Sequence, residues 1–194
     1  MKVICLGDSF TRGFGVKKHE NWISNINIDN MTFVNKGING DTTSGMLSRL
    51  QRDVIDKSPG YVLISGGIND FITGSGVEIP KNNYMAMVHH AYHNMICPII
   101  GIEPGFSPDN VRSDWAAFAD FNEVMKKQTE LRTWLHGFSK TFGIPCIDFF
   151  EELERVKALY KDTDFYVDGI HMTKEGHKYI ADFTAHAVEA LLHF

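Results

Sequence analysis

The chain has 194 residues, 43% of them apolar, and a formal net charge of −5. This length is enough for one buried core, so we expect a single domain over residues 1–194. Basic residues cluster at most as the pairs Lys17-Lys18 and Lys126-Lys127, which excludes the basic surface of a nucleic-acid-binding protein. No apolar run approaches the ~20 residues that span a bilayer, and we expect no transmembrane segment.

The first strand-like run bears on the cellular location of the protein. Residues 2–6 lead directly into Gly7-Asp8-Ser9, without the apolar region and cleavage site of a secretory signal. We therefore expect a cytoplasmic protein. Its three cysteines, Cys5, Cys97 and Cys146, are far apart and each lies in an apolar run. We expect them to be reduced core residues, with no metal site.

Five short apolar runs predict β-strands, since they are rich in β-branched residues and most are too short for helices. The runs are Val3–Leu6, Met31–Val34, Tyr61–Ile64, Met95–Ile102 and Pro145–Phe149. Amphipathic stretches between and after them predict helices at about Thr42–Asp56, Asn82–His93, Asp114–Phe142 and Thr173–Leu192.

This alternation predicts the fold class. Strands that are apolar on both faces, separated by helices, are typical of a parallel sheet covered on both sides. We therefore predict an α/β fold: a three-layer, flavodoxin-like domain with a five-stranded parallel sheet between helices. Ligands in such folds bind beyond the carboxyl ends of the strands, so functional residues are expected just after each run.

A serine follows the first predicted strand, in Gly7-Asp8-Ser9. At a strand-to-helix turn its hydroxyl is exposed at the sheet edge, but it needs a base to become a nucleophile. A Gly-Asp-Ser turn is also ordinary loop chemistry, so this feature alone decides nothing.

A candidate base lies near the carboxyl terminus, in Asp168-Gly169-Ile170-His171. An aspartate three residues before a histidine can accept its Nδ1 hydrogen and leave Nε2 free to take a serine proton. Without a nucleophile opposite, the same pair is simply an Asp-His contact near a helix start.

Two further turns offer oxyanion donors. Gly40 follows the second predicted strand, and Asn69 follows the third. A glycine N–H and a neutral amide can stabilise the negative charge that develops in acyl transfer. Taken one at a time, both residues are equally typical of turns and helix caps.

Together these four segments resemble the SGNH hydrolases, also called the GDSL esterase/lipase family. Gly7-Asp8-Ser9, Gly40, Asn69 and Asp168-Gly169-Ile170-His171 match the four family blocks in order, over residues 7 to 171. Phe10 replaces the leucine of the family name, and Met172 follows the histidine where proline is frequent.

The resemblance implies a serine hydrolase that cleaves a carboxylic ester without a cofactor or metal. It implies Ser9 as nucleophile, His171 as base and Asp168 as its partner. Backbone N–H groups of Ser9 and Gly40, with the Asn69 side chain, would form the oxyanion hole. Family members act on lysophospholipids, acyl thioesters, aryl esters and acetylated sugars, so the substrate, the oligomeric state and a lid role for residues 103–113 stay open.

The sequence also allows interpretations other than a hydrolase. The turn after the first strand suits a flavodoxin-like phosphate- or nucleotide-binding module without hydrolase activity, although GxxxxGK[ST] and GxGxxG patterns are absent. A hydrolase-shaped protein without activity is a third interpretation. The missing GxSxG motif disfavours an ordinary α/β-hydrolase.

Two side-chain patterns were interpreted as structural. His89 and His93 have the i, i+4 spacing of a metal pair, but without HExxH we expect a solvated helix face. Trp115, Phe118, Phe121 and Met125 suit either an acyl pocket or, as we expect, the packing of a helix against the core.

Overall fold

The computed structural model describes residues 1–157 and 165–192. Its centre is a five-stranded, all-parallel sheet in the order β2-β1-β3-β4-β5. The strands are β1 (Lys2–Gly7), β2 (Thr32–Gly37), β3 (Tyr61–Ser65), β4 (Cys97–Ile102) and β5 (Cys146–Asp148). This confirms the predicted α/β architecture, and the strand order is that of flavodoxin-like folds.

The central strand shows why the runs are continuously apolar. Ile4 and Leu6 pack into the core on one face of the sheet, and Val3 and Cys5 pack into the core on the other. Successive side chains of a strand point to opposite faces, so a strand between two helical layers must be apolar at every position.

Helices cover both faces of this sheet. The helices are α1 (Ser9–Arg12), α2 (Trp22–Asn25), α3 (Thr43–Asp53), α4 (Ile68–Ile72), α5 (Glu78–His93), α6 (Ser113–Ala116), α7 (Phe121–Phe142), α8 (Phe149–Lys157) and α9 (Lys174–Leu192). Within the described ranges, no helix has the length and apolar character needed to cross a membrane.

Several sequence predictions need correction. The predicted helix Asp114–Phe142 is two helices, because Asp120 caps α7 by accepting the N–H groups of Asn122 and Glu123. Cys97 is exposed rather than buried, since it begins β4 at the edge of the core. Four short helices that the hydrophobic pattern did not predict are α1, α2, α4 and α8.

The topology gathers the loops that follow the strands at one edge of the sheet. β1 lies between β2 and β3, and β4 lies beyond β3. The segments after these strands contain Ser9, Gly40, Asn69 and Glu103 in turn. All strands run parallel, so their carboxyl ends share this edge.

Candidate active site

Ser9 is the first residue of α1, directly after β1. Asp8 caps this helix, with its Oδ1 accepting a 3.0 Å hydrogen bond from the Phe10 N–H. Gly13 ends the helix with a φ of +81° and donates its N–H to the Ser9 carbonyl over 2.9 Å. The short helix therefore holds Ser9 at the carboxyl edge of the sheet.

Gly7 allows this tight turn. A Cβ atom on Gly7 would lie 2.1 Å from Thr11 Oγ1 and 2.4 Å from the Ser65 carbonyl oxygen. Both atoms belong to the framework around the serine, one in α1 and one in β3. A larger residue at position 7 would therefore push α1 away from the sheet.

Asp168 and His171 form a hydrogen-bonded loop. Asp168 Oδ1 accepts the backbone N–H groups of Ile170 at 3.1 Å and His171 at 2.8 Å, and its Oδ2 lies 2.8 Å from His171 Nδ1. An ionised carboxylate can only accept, so Nδ1 has the hydrogen and Nε2 presents a lone pair.

Asp168 is ionised at neutral pH. Burial raises its pKa, but hydrogen bonds from the side chain and the backbone of His171 outweigh burial and leave the pKa at about 2. The negative charge therefore stays next to the histidine ring, where it stabilises the protonated ring once a proton is accepted.

Ser9 and His171 line the same pocket, which encloses a cavity of about 30 Å³. The His171 ring packs against Phe14, with ring centres 4.1 Å apart, and against Trp115 at 5.8 Å. Trp115 thus lies beside the candidate base and also packs against the core, as the sequence predicted. Of its predicted companions, Phe121 is buried and Phe118 is 74% exposed.

Ser9 and Gly40 follow β1 and β2 at this edge. Gly40 has a φ of +72° in the turn after β2, which the Asp41 N–H closes by donating to the Ile38 carbonyl over 3.2 Å. Among residues 1–157 and 165–192, the N–H groups of Ser9 and Gly40 have no hydrogen-bond acceptor. Both are therefore available to a bound group.

Asn69 connects three loops. Its Nδ2 donates to Asp8 Oδ2 and to the Asp41 carbonyl oxygen, each over 3.0 Å. These bonds use both N–H groups of the amide. An oxyanion bound here must therefore share one of them with Asp8 or Asp41.

Comparison with known proteins identifies the family of this chain. Residues 5–179 match the model of the GDSL-like lipase/acylhydrolase family. This chain belongs to that family. It is an ester hydrolase, and its fold and sequence both resemble those of other GDSL proteins.

Three relatives of this GDSL hydrolase illustrate the likeness. An arylesterase from Vibrio mimicus is 25% identical over 95% of this chain and 86% of its own. A protein named uncharacterized lipoprotein YqeF, from Bacillus subtilis (strain 168), is 36% identical over 90% of this chain and 84% of its own. The structure of a G-D-S-L lipolytic protein from Desulfitobacterium hafniense DCB-2 has a TM-score of 0.80 and 26% identity, covering 96% of this chain and 98% of the other.

Sequence reasoning missed two titratable residues that line the pocket of this GDSL hydrolase, Glu103 and His177. His177 is 1% exposed, and its Nδ1 has no hydrogen-bond partner in the described part of the chain. Burial, with a smaller contribution from the charge of His171, lowers the His177 pKa from 6.5 to about 4. His177 is therefore neutral when His171 would act as base.

Arg49 holds the glycine loop of the hydrolase and was also missed. Its guanidinium donates to Asp41 Oδ2 at 2.7 Å, the Lys36 carbonyl at 2.7 Å and the Gly7 carbonyl at 2.9 Å. One buried cation thus joins the ends of β1 and β2 to the turn that contains Gly40. Its position in a helix, eight residues after Asp41, gave no sequence signal.

Within the described residues, one cluster has donors suited to a metal: His136, Asp148 and Glu151. The Arg132 guanidinium already donates to Asp148 Oδ2 and Glu151 Oε2, each over 2.8 Å. The cluster is therefore an ion-pair network. His89 and His93 are exposed, as expected for a solvated helix face.

Proposed function

We propose that this ester hydrolase is a serine hydrolase that forms an acyl-enzyme on Ser9, with His171 as the base and Asp168 as its partner. The observation that supports this most is the 2.8 Å contact between Asp168 and His171 in a loop whose histidine lines one pocket with Ser9. The three residue types have the chemistry that the reaction needs.

Acylation uses the tautomer that Asp168 favours. His171 Nε2 accepts the Ser9 proton as Oγ attacks the ester carbonyl, and the carbonyl electron pair moves to oxygen. Collapse of this tetrahedral intermediate breaks the bond to the leaving alkoxide, which takes the proton from His171 and departs as an alcohol.

Deacylation repeats these steps with water. His171 takes a proton from water as the water oxygen attacks the acyl carbon, and returns it to Ser9 Oγ as the bond to serine breaks. The carboxylic acid leaves and then ionises in solution. Each step leaves Asp168 ionised, as its pKa of about 2 requires.

The oxyanion would bind to the N–H groups of Ser9 and Gly40. Their lack of an acceptor in the described chain supports this role, since no internal hydrogen bond must break. Asn69 would add a third, shared donor. Fixed donors of this kind lower the barrier because they need no reorganisation as charge develops.

The pocket favours a short acyl group. Its cavity of about 30 Å³ is lined by apolar side chains that include Ile68, Phe106 and Ile170. This space is small, so it suits a short acyl group better than a long chain. Of the ester classes that the family resemblance left open, we therefore favour acetyl esters, such as those of phenols or sugars.

The phosphate-binding alternative is disfavoured by charge. Asp8 lines the pocket beside Ser9, and its carboxylate repels a phosphate. Helix α1 also has only four residues, so its dipole is small.

Hydrolysis of p-nitrophenyl acetate, butyrate and octanoate tests the proposal. Ser9→Ala should lower kcat by about 10³–10⁶. Ser65→Ala is the matched control, because Ser65 ends the adjacent β3 and its Oγ has no hydrogen-bond partner in the described chain. Wild-type turnover by Ser9→Ala would exclude Ser9 as nucleophile.

The same assay tests the acyl preference. Values of kcat/KM should fall by about tenfold or more from acetate to octanoate, because the longer chain does not fit the cavity and must displace the side chains that line it. A rise with chain length would overturn the short-acyl proposal and leave the serine mechanism intact.

A further inference from the structure

Two buried carboxyl groups meet behind Ser9. Asp8 is 0% exposed and Glu103 is 7% exposed, both line the pocket beside Ser9, and the two carboxyl groups are close enough to shift each other's pKa. Asp8 belongs to the turn after β1, and Glu103 directly follows β4. Two carboxylates without a cation between them repel strongly in a buried site, so the pair must hold a proton.

The hydrogen bonds indicate which carboxyl has that proton. Asp8 accepts from the Phe10 N–H and from Asn69 Nδ2, both at 3.0 Å. Within the described chain, Glu103 accepts one hydrogen bond, from the Ile68 N–H at 3.0 Å. Hydrogen-bond donors stabilise the charged form of a carboxyl, which places the charge on Asp8 and the proton on Glu103.

The pKa directions agree with this assignment. Burial and then the charge of Asp8 raise the pKa of Glu103 well above its usual value. Burial raises the pKa of Asp8 above its usual value, although hydrogen bonds with Glu103 and Phe10 and the charge of His171 reduce this rise. Glu103 is therefore the neutral member of the pair.

We propose that Glu103 is a positioning residue that, in its protonated form, donates to Asp8 and accepts from Ile68, and so fixes the amide of Asn69. Glu103 binds the backbone next to Asn69 and also the carboxylate to which Asn69 donates. The inference rests on the proposed role of Asn69 as an oxyanion donor.

This arrangement has two consequences for the reaction. It fixes Asn69 from both sides, and misplacement of a catalytic group by about 1 Å can cost 10²-fold in rate. It also keeps the Asp8–Glu103 pair at one negative charge rather than two, which matters because a further carboxylate would oppose the developing oxyanion.

Two substitutions separate hydrogen bonding from charge and packing. In Glu103→Gln, the amide can donate to Asp8 and accept from Ile68, so kcat should stay within about threefold of wild type. Glu103→Leu has a similar size but cannot donate, and kcat should fall by about 10–100-fold with KM little changed. Equal turnover by the two folded variants would overturn the proposal.

A double-mutant cycle with Asn69→Ala shows whether Glu103 acts through Asn69. Once Asn69 is removed, Glu103→Leu should lower kcat by less than about threefold further, because the group it positions is gone. Full additivity would contradict the inference. If Asn69→Ala alone has wild-type kcat, the oxyanion role in the proposed function is wrong instead.

The proton itself is tested without turnover. The infrared spectrum of the wild-type protein at pH 7 should contain the carbonyl stretch of a protonated carboxyl, and this band should be absent from Glu103→Gln. This measurement shows whether Glu103 is protonated even where Glu103→Leu does not fold. Identical spectra for the two proteins would overturn the assignment of the proton to Glu103.

Discussion

The buried histidine beside the base predicts how stability depends on pH. The His177 pKa is lowered from 6.5 to about 4 by burial, then by the charge of His171. The unfolded chain thus binds a proton at His177 as pH falls below 6.5, whereas the native protein binds it only near pH 4. Protons bound by the unfolded state favour unfolding. The stability that neutral His177 contributes is therefore fully present above pH 6.5 and is lost as the pH falls from 6.5 to about 4.

The size of the loss follows from the two pKa values. Each tenfold difference in proton affinity corresponds to about 1.4 kcal/mol, so the full effect is about 3 kcal/mol and the part reached at pH 4.5 is about 2.5 kcal/mol. The side chain is 1% exposed, so solvent screens this effect little.

Urea unfolding of wild type and His177→Leu between pH 7.5 and 4.5 measures this effect. Leucine does not titrate, and His177 Nδ1 has no hydrogen bond to lose within the described chain. The other titratable residues are the same in both proteins, so the difference in unfolding free energy reports the contribution of His177. Between pH 7.5 and 4.5, wild type should lose about 2.5 kcal/mol more unfolding free energy than His177→Leu does. A difference that stays constant across this range would refute the reasoning.

Three further predictions concern the site. Asn69→Ala should lower kcat by about 10²–10³ with KM little changed, and Asn69→Asp should be no faster, because its carboxylate repels the oxyanion; normal kinetics in both would remove Asn69 from the mechanism. Gly7→Ala should destabilise the fold by about 3 kcal/mol or more, since the alanine Cβ would lie 2.1 Å from Thr11 Oγ1. Thermal unfolding measures this loss, and an unchanged melting temperature would contradict that contact. His171→Ala should abolish most activity and the acidic limb of kcat/KM, whereas His177→Leu should keep the limb; its loss in His177→Leu would make His177 the base.

The sheet was predictable because burial on both faces leaves a clear signal. Five apolar runs predicted five strands, and each lies within a few residues of its predicted bounds. The order of the motif residues along the chain also predicted which loops contain them, since parallel strands place their carboxyl ends at one edge.

Short elements and tertiary contacts were less predictable. Helices α1 and α4 have four and five residues, too few to show a helical period. The break before α7 had one available signal, Asp120, which is a favoured capping residue. The amphipathic pattern continues across it, so the two helices were predicted as one.

Glu103 shows most clearly what sequence reasoning could not find. It follows β4 among loop residues, and its partner Asp8 follows β1. Nothing in the spacing of these two residues indicates that they share a hydrogen bond, because β3 lies between their strands. The proton proposed for Glu103 follows from burial and from the lack of a neighbouring cation among the described residues, both of which depend on the fold.

Covalent labelling tests the central claim most directly. A fluorophosphonate reacts with a serine only when a base activates it, and the labelled peptide can be located by mass spectrometry. We predict one label on Ser9, lost in Ser9→Ala and strongly slowed in His171→Ala, while Ser65→Ala labels at the wild-type rate. Labelling of another residue, or of Ser9 at an unchanged rate without His171, would contradict the proposed mechanism.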